Sequence, residues 1–230
     1  YAKKIVKELK YKGLMNIQFI VKGNEVYLLE VNPRSSRTMP IVSKAAGVDL
    51  VKKATKILLG KYILSKDEVL LDSDARYTVV KHPVFSNFAL KGLDARTGPQ
   101  MISTGEGISI ASTLEEALHK SFHSISGKAV QGDIAFADEN DLLEAGDFSA
   151  DFHFIHIDKV SDQQKVAALY CPGSSERDVT LREWAVKNRK IVLTQKETLN
   201  ALLKSASAES WNVNSLDQWL TETNEEVMAE

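Results

Sequence analysis

The chain has 230 residues, 43% of them hydrophobic and 26% charged, which is a globular composition with room for one or two hydrophobic cores. The formal net charge is only −2 and no stretch is strongly basic, which argues against a general nucleic-acid binder. No apolar run is long enough to span a bilayer, and Cys171 is the single cysteine. We therefore expect a cytoplasmic protein with no membrane partner and no internal disulfide. Because the chain opens at Tyr1 without Met or a signal peptide, we expect a piece of a longer polypeptide.

The first predicted elements are a helix and a β-hairpin. Residues 2–10 place apolar side chains at helical spacing, and Gly13 would end that helix. LMNIQFIV and EVYLLEVN then read as two strands joined across residues 22–24.

The hairpin register follows from its two faces, because the odd positions from 15 to 21 and from 27 to 31 all carry apolar side chains. If that face is buried, odd positions must pair with odd positions. A two-residue Gly-Asn turn would mix the faces, so we expect either a three-residue loop (23–25) with a bulge or a bulge within a strand. In that register Gln18 lies opposite Glu30, with Asn32 further along the same face. The residues expected to be buried behind them are Met15, Ile17, Phe19, Tyr27, Leu29 and Val31.

Helical patterns and one strand follow the hairpin. MPIVSKAAG predicts a short helix ended by Gly47, and Asp49 would cap the helix LVKKATKILLG. Residues 64–76 read as a connection, YTVVKHPVF as a strand and residues 91–107 as a turn-rich loop. A capping box from Ser112 to Glu115 leads into the helix LEEALHKSFHSI, with a boundary at Ser126-Gly127.

The remaining residues alternate between strand and helix patterns, which predicts a small open parallel sheet. The strand candidates are AVQGDIAFA, FHFIHID, KVAALYC and KIVLT, and the helix candidates are DLLEAG, VTLREWAVKN and KETLNALLKSA. Residues 211–220, with Trp211 and Trp219, predict a terminal helix. The overall fold class is therefore α/β.

Polar residues cluster where the hairpin ends. The string Glu30-x-Asn32-Pro33-Arg34-x-x-Arg37, with Gln18 twelve positions before Glu30, resembles the metal- and phosphate-binding end of ATP-grasp ligases. The longer run EVNPRSSRTMPIVSKAAGVDL, followed by VVKHPVF and GPQMISTGEG, resembles the large chains of carbamoyl phosphate synthetases. The resemblance is dense over residues 13–124. It implies that residues 1–125 are the C-terminal part of the second ATP-grasp half with its connection, and that residues 126–230 are a reduced regulatory domain of the methylglyoxal-synthase type.

The resemblance also implies an activity, which is the phosphorylation of carbamate by ATP to carbamoyl phosphate for arginine or pyrimidine synthesis. Glu30 and Asn32 would be ligands of Mg²⁺ or Mn²⁺, Gln18 a weaker ligand, and Gln18 and Glu30 would also serve ATP. Arg34 and Arg37 would act catalytically by stabilising transition-state charge. The implied partners are a glutaminase small subunit and the rest of the large chain, and a homo-oligomer is allowed. The piece alone is expected to be inactive.

Other interpretations remain open. Arg34 and Arg37 could form a solvated helix start, and the piece could serve as a regulatory or subunit-contact module. Another ATP-grasp ligase, such as a biotin-dependent carboxylase subunit, fits Glu-x-Asn but not SRTMPIVSKAAG. The histidines show no metal-like grouping, and Cys171 has no identified base that would make it a nucleophile.

Two departures from the family pattern concern regulation. His82 stands where ornithine-responsive members carry a glutamate, and no Ala-Thr-x-Gly-Thr turn for effector phosphate occurs between residues 127 and 170. The turn from Cys171 to Ser175, with Arg177 and Arg182 nearby, is a rival anion site. We therefore expect a weak response to ornithine and nucleotides.

Overall fold

The computed structural model describes residues 1–45, 48–61, 77–86, 92, 94–98, 100, 102–145, 152–208 and 213. It divides into two compact units, one holding the described residues up to 61 together with residue 213, the other those from 77 to 208. Among the described residues, no helix is both long and apolar enough to cross a membrane.

The first unit contains a two-stranded hairpin and three helices. Its elements are α1 (Ala2–Leu9), β1 (Asn16–Lys22), β2 (Glu25–Asn32), α2 (Met39–Ala45) and α3 (Leu50–Leu58). Asp49 caps α3 as predicted, since its side chain accepts a hydrogen bond from the Lys52 amide at 2.8 Å. The predicted stop at Gly47 and the connection 64–76 lie outside the described residues.

The second unit begins with an antiparallel strand pair that supports a long helix. These elements are β3 (Thr78–Val84), β4 (Gly105–Ala111) and α4 (Leu114–Ser126), and α4 packs on both strands. The strand β4 was missed, because residues 91–107 were predicted as a loop that ran through its first glycines. The capping residue was also wrong by one position, because Thr113 rather than Ser112 accepts the amide of Glu116, at 3.2 Å.

A four-stranded parallel sheet completes the second unit and confirms the predicted α/β fold class. Its strands lie in the order β6-β5-β7-β8. The elements are β5 (Gly132–Phe136), α5 (Glu139–Ala145), β6 (Phe152–His156), β7 (Val166–Tyr170), α6 (Glu176–Lys187), β8 (Ile191–Leu193) and α7 (Lys196–Ser205). The predicted terminal helix at 211–220 falls outside the described part of the chain.

Two apolar clusters cover the two faces of this sheet. One cluster joins the sheet to α4, α5 and α7 and includes the fully buried Phe136 and Leu202. The other joins it to α6 around Leu169 and Ala185. Burial of apolar surface on both faces is what parallel strands require. The predicted domain boundary after residue 125 lies at the end of α4, inside the second unit, and the assignment of domains stays a prediction.

Candidate metal and phosphate site

The end of the hairpin brings the predicted ligands together. Gln18 pairs directly with Glu30 across the ladder, and Asn32, two residues further along β2, pairs with Asn16. Side chains two residues apart in a strand share a face, so Gln18, Glu30 and Asn32 lie on one face as predicted.

The register arises from a bulge in the strand and not from a long turn. Lys22 pairs with Glu25, which leaves Gly23 and Asn24 as a two-residue turn, and Gly23 has the positive φ of 60° that such turns favour. The pairing then shifts between Gln18 and Phe19, so that Leu29 is the extra residue on β2. Of the two alternatives, the bulge within a strand is correct and the three-residue loop is wrong.

The bulge also changes which side chains are buried. Beyond it Tyr27 pairs with Ile20, which puts Tyr27 on the face of Gln18 and not behind it. Tyr27 is 49% exposed and the bulge residue Leu29 60%, so their predicted burial is wrong. The other four residues predicted to be buried are partly buried: Met15, Ile17, Phe19 and Val31.

A hydrogen bond joins the two principal ligand candidates. The Asn32 Nδ2 atom donates to Glu30 Oε1 over 2.8 Å, and the Glu30 side chain is exposed. Carboxylate and amide oxygens are the ligands that Mg²⁺ and Mn²⁺ prefer, so the chemistry of this donor set fits either ion. Within the described residues no group of three His, Cys, Asp or Glu side chains could hold a metal, so any site here must include the amides.

Two exposed arginines follow the ligand candidates. The Arg34 amide donates to the Asn32 carbonyl at 2.8 Å, which makes Pro33 the centre of a three-residue turn. Arg34 also donates from Nη1 to the Ser35 carbonyl at 2.9 Å. Both Arg34 and Arg37 are exposed. Between them in the sequence, the Ser36 hydroxyl is buried with no hydrogen-bond partner among the described residues.

Tyr11 contacts this turn and was missed in the sequence. Its hydroxyl lies 2.9 Å from the carbonyl oxygen of Pro33 and 3.0 Å from that of Leu14. Nothing in the local pattern around Tyr11 relates it to a turn 22 residues away.

The rival anion site at the end of β7 is occupied by the chain's own carboxylates. The Asp178 carboxylate accepts from the Ser175 amide at 2.9 Å and from its hydroxyl at 2.7 Å, which closes a capping box at the start of α6. These hydrogen bonds lower the pKa of the Asp178 carboxyl. Arg177 binds both oxygens of Asp158 through Nη2, at 2.8 and 2.9 Å.

The second arginine of that turn is fully buried and paired. Arg182 donates from Nε and Nη2 to the two carboxylate oxygens of Asp94, at 2.6 and 2.7 Å. Its Nη1 donates to the carbonyls of Cys171 and Gly173. The hydrogen bond from Arg182 lowers the pKa of the Asp94 carboxyl and raises that of the guanidinium. The guanidinium therefore links Asp94 to the residues that follow β7 through hydrogen bonds.

Two further residues named in the sequence analysis, Cys171 and His82, have buried or partly buried side chains. Burial raises the pKa of the Cys171 thiol to about 11, so the thiolate needed for nucleophilic attack is scarce near neutral pH. His82 lies on β3 with its ring against Gly107, where an added Cβ would collide with the imidazole. Burial lowers the pKa of His82, and its Nδ1 is buried without a hydrogen-bond partner in the described part of the chain.

A cavity of about 570 Å³ lies between α5 and α7, with Tyr170 among its walls. Its charged residues are Asp141, Glu144, Lys196 and Lys204. Both lysines already face carboxylates, because Lys196 lies 3.5 Å from Glu144 and Lys204 lies 3.2 Å from Glu115. Burial and the nearby acidic groups raise the pKa of Asp141.

Known proteins similar to this chain include a family whose match lies within the first unit. Residues 1–66 match the family described as carbamoyl-phosphate synthase L chain, ATP binding domain. The arginine-specific large chain of carbamoyl phosphate synthase from Geobacillus stearothermophilus is 39% identical over 231 residues, covering 96% of this chain and 22% of the relative. The protein of the same description from Bacillus subtilis is 32% identical, covering 96% of this chain and 21% of the relative. The carbamoyl phosphate synthase large chain of Clostridium acetobutylicum is 48% identical over 125 residues, covering 54% of this chain and 12% of that protein. This chain therefore spans about a fifth of the length of the relatives that match nearly all of it.

Proposed function

We infer that the chain belongs to the family of carbamoyl phosphate synthase large chains, and we propose that it contributes part of the active site that phosphorylates carbamate with ATP. The observation that carries the proposal is the patch at the hairpin end, where Gln18 faces Glu30 and Asn32 is hydrogen-bonded to Glu30. This patch lies inside the segment that matches an ATP-binding domain.

The proposed chemistry needs position and charge more than covalent help. Phosphoryl transfer is promoted by neutralising phosphate oxygens and by aligning the nucleophile with the phosphorus. Mg²⁺ or Mn²⁺, when bound, would supply part of that neutralisation. In this proposal Glu30 and Asn32 hold the ion with oxygen atoms, and Gln18 offers a third oxygen from the neighbouring strand and contacts ATP with Glu30.

The two arginines have a separate role in the proposal. Arg34 and Arg37 are exposed at the start of the segment that leads into α2, where forked N–H donors can reach phosphate oxygens from one side. They would stabilise the charge that develops on the transferred group. Pro33 keeps its predecessor extended, which holds Asn32 in strand geometry beside Glu30.

The rest of the enzyme is part of the same proposal. We assign residues 1–125 to the second ATP-grasp half with its connection, and residues 126–230 to a methylglyoxal-synthase-like domain. The partners would be the remainder of the large chain and a glutaminase small subunit in the cytoplasm. The names of the two relatives that match nearly all of this chain favour arginine synthesis as the role. The 230-residue chain alone should not turn over ATP.

The test is the substitution Glu30→Gln in the intact large chain, which removes the charge and keeps the shape. We expect carbamoyl phosphate synthesis to fall by roughly 100-fold and the Mn²⁺ requirement to rise, because a ligand's charge is lost. Glu25→Gln is the matched control, since Glu25 lies on the same strand beside the turn. Near-normal turnover by the Glu30→Gln variant, or ATP turnover by residues 1–230 alone, would contradict the proposal.

A further inference from the structure

The open end of the hairpin is closed by a side chain that belongs to neither strand. Tyr11 lies after α1, and its hydroxyl is within hydrogen-bond distance of two carbonyl oxygens, those of Leu14 at 3.0 Å and Pro33 at 2.9 Å. Leu14 lies two residues before β1 and Pro33 comes directly after β2. A phenol has one proton, so the two carbonyls share a single donor.

This contact lies next to the ligand candidates. The last pair of the ladder is Asn16 with Asn32, and the pair of Gln18 with Glu30 comes two residues before it. The end of a two-stranded ladder has no neighbouring strand to hold it and is the first part to open. A donor that binds both chain segments just beyond the last pair therefore opposes fraying where the metal ligands lie.

The same hydroxyl fixes the direction of the turn that follows. The Arg34 amide donates to the Asn32 carbonyl, so a local hydrogen bond sets the backbone geometry on both sides of Pro33. The Pro33 carbonyl has its partner in Tyr11, 22 residues away. Gly13 gives the phenol room, because a Cβ at that position would lie 3.3 Å from the hydroxyl and the backbone φ is +124°. The turn that separates Asn32 from Arg34 is thus held from both sides.

We propose that Tyr11 is a positioning residue for the metal and phosphate site, which acts by holding the Asn32-Pro33-Arg34 turn through its hydroxyl. The inference rests on the proposed function of that site. Tyr11 touches no ligand itself. Its effect comes through the carbonyl of Pro33, which joins the metal-binding strand to the arginine segment. Removing a group that orients a metal ligand typically weakens metal affinity by about 10- to 100-fold.

The test is Tyr11→Phe in the intact large chain with its small subunit, because this change removes only the hydroxyl. We expect the dissociation constant for Mn²⁺, measured by electron paramagnetic resonance, to rise by about tenfold. The Mn²⁺ concentration for half-maximal synthesis should rise in parallel, while the thermal unfolding midpoint stays at the parent value. Tyr27→Phe is the matched control, since it removes a phenol that donates to Glu25 at 2.5 Å near the opposite end of the hairpin.

Three results would overturn the inference. Tyr11→Phe could match Tyr27→Phe in its Mn²⁺ affinity, it could lose stability and activity together at unchanged Mn²⁺ affinity, or it could fail to fold. The first two would show that the hydroxyl does not position the site, and a failure to fold would show that its role is the stability of the chain as a whole. Measuring Glu30→Gln in the same experiment distinguishes a failure of the proposed metal site from a failure of the role of Tyr11. If Glu30→Gln leaves Mn²⁺ binding intact, the proposed site itself is wrong; if it abolishes binding and Tyr11→Phe does not weaken it, only the role of Tyr11 is wrong.

Discussion

Arg182 illustrates how a buried charge can be fully accommodated. Its guanidinium has no exposed surface, yet it donates to both oxygens of Asp94 and to two backbone carbonyls. A charge removed from water is tolerated only when such partners replace the solvent. Arg177, in the same helix, is half exposed and pairs with an Asp158 side chain that is 69% exposed. The two ion pairs should therefore contribute very differently to stability.

We predict that Asp94→Asn destabilises the 230-residue chain by about 2–3 kcal/mol, because it leaves a buried guanidinium without its counter-charge. The expected loss is at the low end for a buried pair, since the Asp94 side chain is 35% exposed. Asp158→Asn is the control, and its pair is solvent-exposed, so the change should cost less than about 1 kcal/mol. Urea unfolding followed by circular dichroism measures both, and equal losses would contradict the prediction.

The same pair predicts a pH dependence with a defined sign. Arg182 lowers the pKa of the Asp94 carboxyl below its ordinary value of 3.8. A carboxyl that is more acidic in the folded chain stabilises the fold above its unfolded pKa, and this contribution is lost as pH falls through the lower folded pKa. The stability difference between the parent and Asp94→Asn should therefore be complete near neutral pH and shrink below about pH 3.8. A difference that grows on acidification would reverse this assignment.

Contacts between residues close in the sequence could be predicted, whereas contacts between residues far apart in the sequence could not. Gln18 and Glu30 could be placed opposite each other because strand alternation and turn length constrain them jointly. Arg182 was predicted as part of an anion site, because its partner Asp94 is 88 residues away and no local pattern connects the two. Tyr11 was missed for the same reason.

In the hairpin, the pairing favoured by the turn residues conflicts with the pairing favoured by the alternation of apolar and polar side chains. Gly23-Asn24 favours a tight turn, and an uninterrupted ladder from that turn would put Glu30 and Gln18 on opposite faces. The extra residue Leu29 puts Gln18 opposite Glu30 at the ligand end of the hairpin. Between the bulge and the turn, even positions of β1 pair with odd positions of β2. The need for a bulge could be derived from the sequence, but its position depends on packing that the alternation does not encode.

The strand β4 was not predicted because of its amino-acid composition. Glycines at positions 105 and 107 weaken a strand pattern, so the stretch before ISIA read as a loop. In the fold, Gly107 is required opposite His82, because any larger residue would meet the imidazole ring. The small residue is thus a consequence of cross-strand packing that only the paired structure reveals.

The start of α4 offers a direct test of local structure. Both Ser112 and Thr113 can cap a helix, but the Thr113 side chain is the one that accepts the Glu116 amide. Thr113→Ala should therefore cost about 1 kcal/mol of unfolding free energy, since an amide at the helix start loses its acceptor. Ser112→Ala should change the unfolding free energy by less than about 0.5 kcal/mol. Denaturant unfolding of the two single variants distinguishes them, and a larger loss for Ser112→Ala would restore the cap first predicted.

For the chain taken together, the two units differ in how they present charge. The hairpin end in the first unit exposes a carboxylate and two arginines. In the second unit, two arginines near the ends of the parallel strands are already paired, Arg182 with Asp94 and Arg177 with Asp158, and the Ser175 amide donates to Asp178. The adjacent cavity carries Asp141 and Glu144 on its wall, and its lysines face carboxylates. At both places the named cations already have carboxylate partners, so a phosphate group would have to displace those carboxylates.

We therefore predict that the 230-residue chain binds UMP and IMP weakly or not at all, and that ornithine fails as well. An ornithine ammonium needs a carboxylate for a charge-assisted hydrogen bond, whereas burial lowers the pKa of His82 and favours its neutral imidazole, a weaker acceptor than a carboxylate. Isothermal titration calorimetry with each of the three compounds tests this. The double substitution Asp141→Gln and Glu144→Gln tests the electrostatic reason, because removing both negative charges should make UMP binding measurable while ornithine stays unbound. Micromolar binding of UMP, IMP or ornithine to the parent chain, lost on substitution within residues 170–200, would show that the second unit senses effectors despite its internal ion pairs.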